Sequence, residues 1–298
     1  MSGLVWLASY PKSGNTWFRL LLSNLAGQGE TDINDPNEDM SVASARYPFD
    51  DITMLDSSLL TPDEVDLLRP SVFETIAGGD YRDYSASREI ANGPWPRIMK
   101  VHDAYTRNAD GRPLLGAAQG AIVIVRDPRA VAPSLANHLG CSIDAAIETL
   151  GSENNVFGGV SGRLGVQLRQ KLLSWSSHVA SWLDQSDVPV HLVRYEALKA
   201  DTPGVLRAAL AFAGRDITPA EAGQAARLAD FARLQAQERA KGFREWTSPH
   251  GGLFFRRGEA EAWREELSPP QIARIEADHA AMMRRLGYKF LQQGGMGG

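Results

Sequence analysis

Lys12, Ser13, Gly14, Asn15 and Thr16 follow one another directly, a few residues after a short apolar run at residues 4–8. Together they supply one full positive charge, hydroxyl groups, and a glycine at which backbone can approach a ligand closely. With a strand at 4–8 and a helix at 16–25, the segment becomes a strand–turn–helix junction. The free N–H groups and dipole of such a helix start favour a bound anion. The common triphosphate loop is G-x-x-x-x-G-K-[ST]. Here the lysine precedes the glycine and the first glycine is missing, so this is a different phosphate loop. For Lys-Ser-Gly alone, an ordinary βα turn with a solvated lysine is the alternative.

Two further constellations carry suitable chemistry. The apolar run 121–125 ends in Arg126-Asp127-Pro128-Arg129, and a helical stretch from 129 carries Ser134. A charged fork at a strand's end and a hydroxyl two turns into the next helix can clamp a phosphate. The run 97–101 ends in Lys100-Val101-His102-Asp103. A histidine just past the C-terminal end of a strand faces the crevice where α/β sheets bind ligands, and its pKa range suits a general base. Lys100 and His102 alternate with Val101, so both can face the same side. Adjacent residues diverge, which leaves an orienting role for Asp103 open. The histidines at 138, 178, 191, 250 and 279 have no comparable setting in the sequence, and no metal is called for.

The string Tyr10-Pro11-Lys12-Ser13-Gly14-Asn15-Thr16-Trp17 resembles the 5′-phosphosulfate loop of sulfotransferases that use 3′-phosphoadenosine 5′-phosphosulfate (PAPS). The resemblance implies that Lys12, Ser13, Gly14, Asn15 and Thr16 hold the 5′ end of the nucleotide, with Trp17 stacked on adenine. Arg126 and Ser134 match that family's 3′-phosphate site. Phe254-Phe255-Arg256-Arg257-Gly258, with Trp263 beyond, resembles its R-K-G-x-x-G-D-W segment, so Arg256, Arg257 and Gly258 become phosphate donors. Glu261 and Ala262 replace the Gly-Asp of that segment, and Arg257 its lysine. Tyr195 and Phe231 resemble residues that border the nucleotide, although Ala229 stands where relatives often place threonine. Lys100-Val101-His102 is similar to the family's K-[ST]-H. It implies His102 as catalytic base, Lys12 at the leaving group and Lys100 near the transferred sulfonate. PAPS is then the donor and 3′-phosphoadenosine 5′-phosphate (PAP) the product. The readings weighed against this are a P-loop-type nucleotide kinase and a non-catalytic nucleotide-binding module.

Positioning these groups requires strands whose C-terminal ends meet. The runs 4–8, 97–101, 121–125 and 190–193 are unbroken rather than alternating in apolar character, as in parallel strands covered on both faces. Helical patterns at 16–25, 129–139, 164–183, 204–213, 219–228 and 269–286 lie between or after them. The expected fold is a single α/β domain with a P-loop-like parallel sheet flanked by helices on both faces, spanning 1–290, with a flexible C-terminal tail at 291–298. The segment 29–56 is acidic and reads as poor in core positions, and 240–257 reads as a long loop. The acceptor pocket is expected from 29–94 and 140–165, with 240–253 as a lid.

The chain has 298 residues, a formal net charge of −5 and one cysteine, Cys141. A net acidic chain argues against a nucleic-acid coat, and a single thiol allows no internal disulfide. No run approaches the ~20 apolar residues of a membrane span, and the apolar start lacks a basic flank. The expected protein is cytoplasmic and acts on a small-molecule hydroxyl acceptor, a phenol, alcohol or secondary metabolite. No nucleic-acid or membrane partner is expected, and a homodimer is compatible with the sequence.

Overall fold

A computed structural model describes residues 3–26, 29–35, 42–79, 96–158, 167–246 and 252–291. Its four main strands are β1 (Leu4–Ser9), β2 (Arg97–Val101), β3 (Gly120–Val125) and, late in the chain, β6 (Val190–Arg194). They form one sheet in the order β2-β1-β3-β6, and every neighbouring pair is parallel. A small antiparallel pair, β4 (Val156–Phe157) with β5 (Gln170–Lys171), stands apart.

The unbroken apolar runs have a direct physical reason. Side chains alternate across a strand, and both faces of β1 and β3 are covered. Leu4, Trp6 and Ala8 join Ala121, Val123 and Val125 in one core with Phe73, Trp175 and Trp182. Val5 and Leu7 join Ile122, Ile124 and Val193 in a second core against Phe18 and Leu21 of the helix Asn15–Ala26 and Leu206 and Leu210 of Thr202–Phe212. All six residues of β1, and of β3, are buried.

Several expected elements change. The pattern at 164–183 is helical only over Trp175–Leu183; its described earlier part holds β5. The stretch 269–286 breaks at His279 into Pro269–Asp278 and Ala280–Arg285. Part of 29–56, expected to hold few core positions, forms the helix Arg46–Thr53 and buries Ile33, Ala43 and Phe49. The residues following it, where no helix is expected, form the helix Pro62–Gly78. Its start is fixed by a capping box: Thr61 Oγ1 accepts from the Glu64 N–H and the Thr61 N–H donates to the Glu64 carboxylate. Glu38 and Asp39 of the acidic run, and residues 292–298 of the expected tail, lie outside the described residues.

The chain runs from β1 outward to β2, then returns to the other side of β1 as β3. Strand order therefore reverses between β1 and β3, and α/β sheets bind ligands at the carboxyl end of such a reversal. The junction after β1 and Arg126 after β3 both stand there.

Candidate active site

The turn after β1 is shaped by two left-handed residues, Lys12 at φ 68° and Gly14 at φ 106°. A side chain on Gly14 would also meet Tyr195 Cδ2 at 2.7 Å. Glycine thus lets the loop turn and lets Tyr195 lie against it. Asn15 opens the helix Asn15–Ala26 and turns its amide back, donating to the Leu7 carbonyl at 2.9 Å and to Ser9 Oγ at 3.2 Å. It braces the loop from behind as well as lining the cavity.

A cavity of about 1080 Å³ opens over the carboxyl ends of β1, β2 and β3. Every candidate residue of the sequence reading borders it except Ser13, which is buried within the loop. Buried polar atoms of Ser13 (Oγ), Asn15 (Oδ1) and Arg126 (Nε) have no hydrogen-bond partner among the described residues. Orphaned buried polar atoms of this kind are rare in native interiors and suit a site that completes itself around a polar ligand. In a chain of net negative charge, Lys12, Lys100, Arg126, Arg256 and Arg257 gather at one opening. That arrangement fits a nucleotide with charge at both its 5′ and 3′ ends.

The cations crowd one another. Burial, then Arg126, Lys100 and Arg256, bring the Lys12 pKa down to about 7. Its ammonium lies 3.7 Å from the Phe254 ring centroid and 5.6 Å from that of Trp246, where the π faces compensate part of the lost hydration. Burial and Arg19 lower Lys100 to about 8 against the pull of Glu245. Arg126 donates to the Lys12 carbonyl at 3.1 Å and to the Glu259 carbonyl at 3.3 Å, with its guanidinium 4.4 Å from the Tyr195 ring. It ties the phosphate loop to the segment carrying Arg256 and Arg257.

On the base side of the adenine candidates, Trp17 donates from Nε1 to the Ala229 carbonyl at 2.9 Å. Tyr195 meets Trp17 edge-on at 5.8 Å. Phe231 packs against Gly258 so closely that a side chain there would stand 2.3 Å from its ring. Ser134 lies on the helix Pro128–Leu139 and borders the cavity.

His102 is held by its own strand's neighbour. Its Nδ1 lies 2.7 Å from the Ser9 carbonyl oxygen, which can only accept, so Nδ1 carries the proton and Nε2 the lone pair. Burial and Lys100 push the pKa well below 6.5, so the imidazole is neutral across the physiological range. The Asp103 carboxylate bonds elsewhere. That carboxylate is buried and takes two bonds from Arg69, at 2.9 and 2.7 Å, and one from the Lys171 N–H at 3.1 Å.

Sequence reasoning passed over two features of the cavity. His138, dismissed as having no setting, borders it one turn beyond Ser134, with its ring stacked on Phe157 at 5.8 Å and near Trp246 at 5.7 Å. Its i+4 spacing from Ser134 was the available signal. Burial, Lys12 and Lys100 lower its pKa to about 4. Glu245 also borders the cavity and accepts from Arg19 Nη1 at 2.9 and 3.1 Å. Nothing in its local sequence marks it.

The family described as a sulfotransferase domain matches residues 3–287. The chain belongs to this sulfotransferase family. The sulfotransferase shares its fold with mouse sulfotransferase SULT7A1 complexed with PAP, at 20% identity and a TM-score of 0.57, over 95% of this chain and 85% of that one. Retinol dehydratase in a complex with retinol and PAP matches at 17% identity and a TM-score of 0.54, over 95% and 82% of the two chains. The same enzyme with androsterone and inactive cofactor PAP matches at 16% and 0.53, over 94% and 80%. No match was found among curated proteins. Among the described residues, no helix is long and apolar enough to cross a membrane.

Proposed function

We propose that this sulfotransferase moves a sulfonyl group from PAPS to the hydroxyl of a small-molecule acceptor, with His102 as general base, in the cytoplasm. The carrying observation is convergence: the phosphate loop, Arg126 and His102 all border one cavity at the strand-order reversal. Solved relatives in complex with retinol or androsterone support a small organic acceptor.

PAPS supplies a sulfonate on a phosphate leaving group. Lys12, the loop N–H groups, Ser13 and Thr16 bind its 5′ end, while Arg126, Ser134, Arg256, Arg257 and the Gly258 N–H bind the 3′-phosphate. Trp17, Tyr195 and Phe231 border the adenine. His102 takes the acceptor's hydroxyl proton at Nε2 as that oxygen bonds to sulfur and the sulfur–phosphate oxygen bond breaks. Lys12 meets the charge gathering on the leaving phosphate, and Lys100 faces the sulfonate. These are the positioning and electrostatic demands of any in-line group transfer. The same pocket is formed on the acceptor side by Val42, Leu60, Val65 and Phe157, with Arg244 and Glu245 from the expected lid.

Calorimetric titration with PAP and PAPS tests the donor. Lys12→Ala and Arg126→Ala are each expected to weaken PAP binding by roughly ten- to a hundredfold, the usual cost of losing a charge-assisted contact. A well-folded wild type that binds neither nucleotide would sink the donor assignment.

The depressed lysine pKa gives a second expectation. With Lys12 at about 7, much of it is neutral at pH 8. An arriving phosphate favours its charged form, so binding at pH 8 takes up protons and affinity falls as pH rises through that range. The apparent binding enthalpy at pH 8 should therefore vary with the ionisation enthalpy of the buffer, and Lys12→Ala should lose most of that variation. A buffer-independent enthalpy in the wild type would place the Lys12 pKa elsewhere.

A further inference from the structure

Arg256 and Arg257, which the proposed function gives to the 3′-phosphate, both face carboxylates of this chain. Glu266 accepts from Arg256 Nη1 at 2.5 Å and lies 3.6 Å from Arg257 Nη1. Glu265 accepts from Arg257 Nη2 at 2.9 Å. The two glutamates differ in setting. The Glu265 side chain is 72% exposed, whereas that of Glu266 is 16% exposed and borders the cavity.

Glu266 is also fixed from behind. It ends the short helix Trp263–Glu266, whose Trp263 ring is buried 4.1 Å from the Arg129 guanidinium. Arg129 is clamped in turn between Asp127 at 2.7 Å and Glu276 at 2.6 Å. Leu267, the next residue, is buried. The backbone beneath Glu266 is therefore anchored beside the two arginines.

We propose that Glu266 is a donor-selectivity residue, contending with the nucleotide's 3′-phosphate for Arg256 and Arg257. The proposal rests on the assignment of those arginines to that phosphate. A phosphate arriving there gains two guanidinium contacts, but it must share or displace the Glu266 pairing and meets a like charge. A nucleotide lacking the 3′-phosphate leaves the pairing intact. The preference for PAP over 5′-AMP is thus narrower than the arginines alone would give, and Glu266 sets the difference.

The test is a calorimetric titration of PAP, with 5′-AMP followed directly or by displacement of PAP, on wild type, Glu266→Gln and Glu265→Gln. In Glu266→Gln, PAP is expected to bind roughly three- to tenfold more tightly, the scale of one partly exposed ion pair. Binding of 5′-AMP should stay nearly constant, and Glu265→Gln should change neither. Glu266→Ala serves as a second variant, and thermal melting reports folding for all. Unchanged or weaker PAP binding in folded Glu266→Gln overturns the proposal, because Glu266 would then be holding the arginines in place for the phosphate. An equal gain for both nucleotides also overturns it, as a general charge effect. A wild type that binds neither nucleotide instead removes the donor assignment itself.

Discussion

His102→Asn is expected to lower kcat by roughly 10²–10⁴-fold, the usual contribution of a positioned general base, with PAP affinity nearly unchanged. Asparagine can still donate to the Ser9 carbonyl that now receives His102 Nδ1–H. What it lacks is the basic lone pair that His102 presents at Nε2. The pH profile separates this role from a structural one. Because burial and Lys100 hold His102 well below 6.5, its base form persists through neutrality. On the acid side, activity should therefore hold down to pH 6.5 and fall below it, through the depressed pKa, and that acid limb should vanish in the variant's residual rate. The measurement is PAP release against pH, using an acceptor that wild type turns over. A variant with wild-type kcat and an unchanged acid limb would move the base to another group bordering the cavity, with His138 and Glu245 next in line.

The parts of the fold legible in the sequence are those where one physical constraint dominates. β1 and β3 are buried on both faces, so their apolar character is continuous and their ends are visible. The residues after those ends then stand at the carboxyl edge of the sheet, where Lys12 and Arg126 are found; His102 follows β2, whose strand is only partly buried. The helix Pro62–Gly78 was lost for the opposite reason. Its core side consists of Val65, Val72, Phe73 and Ile76, but Asp66 and Arg69 are buried on it as an ion pair and Pro70 interrupts the pattern. Buried charge breaks the apolar period, and a proline reads as a boundary. Thr61-Pro62-Asp63-Glu64 forms the capping box that starts this helix, a signal the sequence analysis did not use. Glu245 was illegible because its meaning depends on Arg19, 226 positions earlier in the chain.

That hidden helix carries the largest stability effect. Arg69→Met is expected to destabilise the protein by roughly 3–5 kcal/mol, the cost of leaving a buried charge unpaired. Arg69 and Asp103 are both buried, and their two bonds at 2.9 and 2.7 Å form a parallel fork. Arg69 also reaches Asp66 at 3.4 Å, but Asp66 keeps Arg169 at 2.7 Å and Lys171 at 2.8 Å. Among the described residues, Asp103 would keep only the Lys171 N–H for its carboxylate. Urea unfolding should show a lower midpoint at an unchanged m-value. The double variant Arg69→Met/Asp103→Leu should recover much of the loss, since removing both charges removes the desolvation penalty. A stability loss under about 1 kcal/mol for Arg69→Met would mean that the pair is solvated, contrary to its burial. The same fork bears on catalysis, because Asp103 directly follows His102 and its carbonyl accepts from Trp182 Nε1 at 3.1 Å. The residue after the proposed base is thereby tied through its side chain to one helix and through its backbone to another. Loosening Arg69 should lower kcat more than it weakens PAP binding, because the nucleotide's proposed contacts come from β1, β3 and the segments after them, while the base hangs from β2.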